Sequence, residues 1–237
     1  EFKDFSNKGN EVAFGTIGDA STSEGHFFET INAAGVMQVP MAISIWDDGW
    51  GISVPNKQQT TKSNISEILS GFEKLKGTNG FYIFRGKCYD YASLVDLYSQ
   101  GIALCRKEHT PVLFHIRECT QPQGHSTSGS HERYKTKEQL IHEKEIDCIV
   151  KMRQWIINEA IASESELDEI ENEATKRARQ ARKNAWNNYL KPIISKKEEF
   201  LNLVDITTCN CTEKSEIEAI KQELIKIGEP IYKDIIS

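Results

Sequence analysis

The chain has 237 residues, a formal charge of −6 and a pI near 5.6, so its bulk charge argues against nucleic acid as the main partner. No apolar run approaches the roughly 20 residues a membrane span requires, and no basic-then-apolar leader opens the sequence, so a cytoplasmic protein is expected. The chain lacks an initiator Met and reads as a buried strand within a dozen residues, which suggests an excerpt from a longer polypeptide.

Residues 12–18 are short, β-branched and glycine-ended, the pattern of a central strand. Ser21, Thr22 and Ser23 offer N-caps, and Glu24 adds negative charge to a first helical turn. Phe27, Phe28, Ile31, Ala34 and Val36 then form an apolar helical face to about Met37. Pro40 stops that helix, and residues 41–46 form the next buried strand, completing one βαβ unit. The alternation repeats more loosely: helix 65–75, strand 81–84, helix 91–106 and strand 112–116. This order predicts an α/β fold with a mainly parallel, doubly wound sheet covered on both faces.

Beyond Glu118 the character changes. Residues 120–137 are rich in Gly, Ser, Gln and His without periodicity, a long loop of the kind that is usually functional or disordered. The chain turns helical from Gln139, and Ser163 with Glu166 forms a capping box opening a charged helix to about Tyr189. Residues 196–210 read as an irregular connector, and Ser215 with Glu218 opens a last amphipathic helix ending near Gly228. The expected division is an α/β core at 1–118 missing its N-terminal part, a loop at 119–138, a helical tail at 139–194, and a linker plus helix at 195–237. The cysteines at 88, 105, 119, 148, 209 and 211 form no CxxC pair, and are expected as buried or idle thiols of a reducing compartment. Cys209-Asn-Cys211 reads as loop composition, because two cysteines do not complete a tetrahedral site.

Two acidic turns, Gly18-Asp19-Ala20 and Asp47-Asp48-Gly49, end the first two strands. Parallel strands joined by a helix bring Asp19 and Asp48 to one carboxyl edge, where ligands of open α/β sheets bind. Either residue alone is most simply an N-cap or Asx-turn residue. Together they suit Mg²⁺, which is commonly held by one or two carboxylates plus phosphate oxygens.

The segment GDASTSEGHFFETINAAGVMQVPMAISIWDDGWGISVP resembles the thiamine diphosphate motif, a Gly-Asp-Gly turn closing on Asn-Asn. More narrowly, it is similar to the α subunit of the decarboxylating first component of 2-oxo acid dehydrogenase complexes, with Gly18, Asp19, Gly25, Glu29, Asn32, Ala34, Pro40, Gly49 and Trp50 in register. The resemblance implies the thiamine diphosphate-binding fold. It implies metal ligation by Asp19, Asp48 and the carbonyl of Trp50, and diphosphate contacts from the Gly18 turn through the backbone of Ala20 and Ser21. The chain departs from the pattern twice. Ala20 replaces the third glycine, which costs energy where φ must be positive. Asp47-Asp48 replaces Asn-Asn and adds negative charge beside a diphosphate.

A second segment, QPQGHSTSGSHERYKTKEQL, resembles the family loop that covers the cofactor mouth. It implies that His125 contacts the cofactor phosphate and serves catalysis by ordering that loop. Ser126 aligns with a serine that mitochondrial relatives phosphorylate, and reads here as a loop hydroxyl. Lys135 stands where relatives often carry Arg, and His131 reads as solvated. The segment 138–181 is similar to the family's helical tail, and the residues past 189 suggest a junction to a fused β half. Overall the resemblance implies oxidative decarboxylation of a 2-oxo acid, pyruvate or, from the GHSTS form of the loop, branched-chain. It also implies thiamine diphosphate and Mg²⁺, a β subunit or β half in an α2β2-type assembly, and acyl transfer to a transacylase lipoyl domain. Two other readings remain at this stage: a transketolase-like thiamine enzyme and a non-catalytic scaffold.

Overall fold

A computed structural model describes residues 8–125, 130–207 and 212–236. The protein is an α/β structure whose contacts divide it into two units, Glu1–Ile161 and Ala162–Ser237. In chain order the first unit contains β1 (Ala13–Gly18), α1 (Gly25–Met37), β2 (Met41–Trp46), the two-residue strands β3 (Trp50–Gly51) and β4 (Val54–Pro55), and α2 (Ile65–Ile68). There follow β5 (Tyr82–Lys87), α3 (Tyr91–Glu108), β6 (Val112–Arg117), α4 (Lys137–Glu145) and α5 (Cys148–Asn158). Four strands make one parallel sheet in the order β1-β2-β6-β5, while β3 and β4 form a small antiparallel hairpin.

The register sets the two faces, because successive strand residues point to opposite sides. Ile45 and Leu113 pack with Phe27 and Ile31 of α1 and with Ile65 of α2. Ala42, Val112, Phe114 and Ile116 pack on the other side with Cys105, Leu94, Leu97 and Ile102 of α3. Helix α3 lies so close that a Cβ on Gly101 would sit 2.5 Å from the Phe114 ring. Each strand's apolar alternation thus has a helix waiting for it.

Local expectations changed in several places. Among the described residues β1 is a terminal strand, paired only with β2, and Phe14 on it is 54% exposed. Its composition reports strand propensity and does not report how many neighbours it has. The hydroxyls of residues 21–23 do not cap α1: they lie in a 3₁₀ turn, Ala20–Ser23, and Glu24 is the N-cap without a side-chain bond. The helix expected over 65–75 is a single α turn continued by a 3₁₀ turn, Leu69–Phe72.

The second unit holds α6 (Glu164–Thr207), α7 (Lys214–Lys226) and α8 (Tyr232–Ile236). The Ser163–Glu166 capping box opens α6, with the Ser163 N–H donating to Glu166 Oε2 at 2.8 Å and the Glu166 N–H donating to Ser163 Oγ at 3.3 Å. The connector expected from residue 196 is instead helical to Thr207, running straight through Pro192. An interior proline costs about 3 kcal/mol, and here it sits between Leu190 and Ile193, both buried, whose packing offsets that loss. Lys197 Nζ donates to the carbonyls of Ile225 (3.2 Å) and Ile227 (2.8 Å), satisfying the C-terminal end of α7.

Candidate functional site at the carboxyl edge of the sheet

Parallel strands end their hydrogen-bond ladder together, and here the ladder continues into the turns. The Asp19 N–H donates to Trp46 O (3.2 Å), the Asp47 N–H to Ile116 O (2.8 Å), and the Cys119 N–H to Asp47 O (3.0 Å). On the far side the Cys88 N–H donates to Arg117 O at 2.8 Å. The residues following β1, β2, β5 and β6 are therefore fixed by backbone bonds to their neighbours.

Gly18, Asp19, Ala20, Ser21, Asp48, Trp50 and His125 all line a single cavity of about 720 Å³. The structure thus brings together every residue singled out in the sequence as a cofactor or metal contact. Asp19 is 5% exposed, and its Oδ2 is buried without a hydrogen-bond partner. Burial, with the negative charges of Asp47 and Asp48 close by, pushes its carboxyl up to about 7. Burial also raises Asp48, partly offset by the Trp50 N–H, which donates to Asp48 Oδ1 at 3.0 Å, and by the Lys135 charge. Ala20 is not among the residues with positive φ and sits in the 3₁₀ turn, so its methyl carries no backbone strain. The methyl does crowd the hairpin: a Cβ on Gly51 would lie 2.8 Å from Ala20 Cβ, so glycine is needed at 51. His125 is exposed at the cavity's mouth, while Ser126 and both cysteines at 209 and 211 lie outside the described residues.

Behind the turns runs a buried polar chain that the sequence did not disclose. His115, fully buried in β6, donates from Nε2 to Asp47 Oδ2 at 2.8 Å, and its Nδ1 meets Ser66 Oγ at 2.9 Å. Ser66 Oγ donates to Asn64 Oδ1 (3.0 Å) and accepts from Arg85 Nε (3.1 Å). Asp47 also accepts the Gly49 N–H at 2.8 Å, which shapes the turn. Burial opposes a charge on Asp47, but its bonds to His115 and Gly49 outweigh it and hold the carboxyl below its ordinary range. The one legible signal was a lone histidine inside the apolar run VLFHIR.

Two loop residues pack close to the turns. Lys135 is buried, bonds Glu143 Oε1 at 2.7 Å and lies 5.6 Å above the Trp50 ring. His131, expected in solvent, has a side chain only 15% exposed and a buried Nδ1 without a partner. Among the described residues no group of three or more His, Cys, Asp or Glu is placed to hold a metal by itself. A cation at Asp19 and Asp48 would need oxygens from a ligand, as Mg²⁺ bound with a phosphate does.

The paired acidic turns of this α/β protein stand at the carboxyl edge of its parallel sheet, where open α/β sheets bind their ligands. The family follows from comparison: the dehydrogenase E1 component model matches residues 4–193, and the chain belongs to that family. It is similar to the pyruvate dehydrogenase E1 component subunit alpha of Rickettsia bellii, 25% identical over 162 residues, covering 68% of this chain and 47% of that protein. The 3-methyl-2-oxobutanoate dehydrogenase subunit alpha of Mycobacterium tuberculosis is 27% identical over 172 residues, 72% of this chain and 43% of that protein. A mitochondrial pyruvate dehydrogenase E1 component subunit alpha of Dictyostelium discoideum is 25% identical over 211 residues, 83% of this chain and 53% of that protein. The chain spans about half the length of the curated relatives it matches. No helix among the described residues is long and apolar enough to cross a membrane.

Proposed function

We propose that this chain is the α part of an E1 enzyme and anchors the magnesium-diphosphate end of thiamine diphosphate within the thiamine diphosphate-binding, doubly wound fold. The observation that carries this reading is Asp19: a carboxylate oxygen buried without a partner, one strand away from Asp48, at the wall of a cavity that the other candidate residues share. A divalent cation there supplies the charge that burial and the neighbouring carboxylates otherwise oppose.

In this reading Asp19, Asp48 and the carbonyl of Trp50 hold Mg²⁺. The backbone N–H groups of Ala20 and Ser21 meet the diphosphate beside Gly18, and His125 closes the mouth. Asp47, the extra charge of the acidic pair, bonds His115 through Oδ2 and also raises the Asp19 carboxyl, so its negative charge adds to the attraction for a cation at that edge. The Lys135–Glu143 pair and the Trp50 ring brace the turn from the loop side. When bound, thiamine diphosphate supplies the electron sink for decarboxylation. The chain's own residues would fix its phosphate end.

The substrate in this proposal is pyruvate or a branched-chain 2-oxo acid, which differ by a few methylenes. The acyl group passes to the lipoyl group of a transacylase, in a cytoplasmic α2β2-type assembly with a separate or fused β half. The residues described here would be inactive without that half. Calorimetry of the complete polypeptide with its partner half, using thiamine diphosphate and Mg²⁺, tests the anchor. Asp19→Ala and Asp48→Ala are each expected to weaken binding by about 100-fold, the cost of losing a charged ligand contact. Unchanged affinity in both variants rejects the assignment.

A further inference from the structure

The β1–β2 side of the sheet edge carries carboxylates, and the β5–β6 side carries thiols. Cys88 follows β5, Cys119 follows β6, and Cys148 opens α5. Residues 88 and 119 both line the 720 Å³ cavity. We infer that Cys88 and Cys119 form a peroxide-responsive dithiol site in the wall of that cavity, with Cys88 attacking and Cys119 resolving.

Geometry carries the pairing. Strands β5 and β6 are parallel neighbours in register to Lys87↔Arg117, about 4.8 Å apart, so Cys88 lies one residue beyond the last pair on one strand and Cys119 two residues beyond it on the other. The two turns are pinned together: Lys87 Nζ and Glu118 Oε1, each immediately before its cysteine, are 3.1 Å apart. The Cys88 N–H donates to Arg117 O at 2.8 Å. Cys148 Sγ donates to the Cys88 carbonyl at 3.5 Å and Cys119 Sγ to the Ile116 carbonyl at 3.5 Å, and of these two cysteines Cys119 is the one that lines the cavity together with Cys88. The neighbouring Cys119, against burial, draws the Cys88 thiol down to about 7, and the neighbouring Cys88 together with burial pushes Cys119 up. A thiol of that kind reacts as thiolate near neutral pH.

The oxidant is hydrogen peroxide. The Cys88 thiolate attacks one peroxide oxygen, an S–O bond forms, the O–O bond breaks, and hydroxide leaves to be protonated to water. Cys119 sulfur then attacks the Cys88 sulfenic sulfur: the S–S bond forms, the S–O bond breaks, and a second water leaves with the Cys119 proton. The two cysteines lose two electrons, which peroxide gains, and a dithiol reductant restores them.

The test is peptide mapping by non-reducing mass spectrometry of the purified full chain after peroxide treatment and alkylation. The expected product is a cross-linked Cys88–Cys119 peptide pair, reversed by dithiothreitol, with Cys88 consumed at least tenfold faster than Cys105. The Cys105 thiol is fully buried against Met41 O, so Cys105 serves as the internal reference. Cys88→Ser should abolish the cross-link, and Cys148→Ser should retain it. A Cys88–Cys148 bond in wild type, or over-oxidation of Cys88 without any cross-link, overturns the proposal.

Discussion

The two units are held together by different means. In Glu1–Ile161 the buried residues come from strands and helices far apart in sequence, and polar groups such as Asp47, His115 and Ser66 are buried among them. In Ala162–Ser237 the buried apolar residues are few, chiefly Leu190, Ile193 and Leu224. Side-chain bonds do much of the fastening there: Trp186 Nε1 to Glu229 at 2.9 Å, the Lys221–Asp205 pair, and Lys197 on the α7 carbonyls. A buried polar group is expensive to strand, whereas an exposed one can return to water. Substitutions should therefore be costly in the first unit and mild in the second.

The largest effect is expected at His115. His115→Ala leaves the Asp47 carboxylate buried against an empty space and should cost about 3–5 kcal/mol in urea unfolding. Adding Asp47→Asn to that variant removes the stranded charge and should recover a large part of the loss. A double variant that costs the sum of His115→Ala and Asp47→Asn measured singly would show that the two side chains are not coupled.

Lys135 comes next. Its side chain is 2% exposed and that of its partner Glu143 is 19% exposed, so Lys135→Ala should cost about 1–3 kcal/mol. It should also raise the Asp48 carboxyl further, since the Lys135 charge lowers it. Arginine at 135 keeps the charge, so in the proposed reading it should retain more Mg²⁺ affinity than alanine in the same calorimetric experiment.

A pH series addresses the acidic edge itself. Asp19 titrates at about 7 when folded, against an ordinary value of 3.8. Between those values the folded chain binds more protons than the unfolded one, so this carboxyl makes stability fall as pH rises from about 4 to 7 and level off above. The lowered Asp47 acts in the opposite direction, with its stabilisation lost as pH falls below the ordinary carboxylate range. For a cation on Asp19 the proton is a competitor: affinity should rise by up to about tenfold per pH unit below 7 and flatten above it. Affinity independent of pH from 5 to 8 would remove Asp19 from the ligand set.

The same contrast explains what could be read from the chain beforehand. The parallel strands were legible because apolar runs bounded by Gly and Pro are local, and Asp19 and Asp48 followed from one βαβ unit. His115 was not, because its partner Asp47 lies 68 positions away and only the adjacency of β2 and β6 joins them. Nor was the place of Cys88 and Cys119 on one cavity, which depends on β5 lying beside β6. In the helical unit the local capping box was readable, but the run through Pro192 was not. Proline's cost is visible in one residue, while the burial that offsets it involves side chains brought together only by folding.

That capping box gives the smallest expected effect and serves as the reference for the comparison. Ser163→Ala removes the oxygen that accepts the N–H at N3 of α6, and loss of such an N-cap typically costs about 1 kcal/mol. The bond is exposed, so water can replace the lost acceptor, and the change lies in the unit that carries none of the candidate cofactor contacts. Thermal unfolding should therefore shift by a few degrees at most, with cofactor affinity and the Cys88–Cys119 cross-link unchanged. A loss as large as that of His115→Ala would mean that the helical unit relies on its first turn as strongly as the sheet relies on its buried histidine, and the proposed difference between the two units would fail.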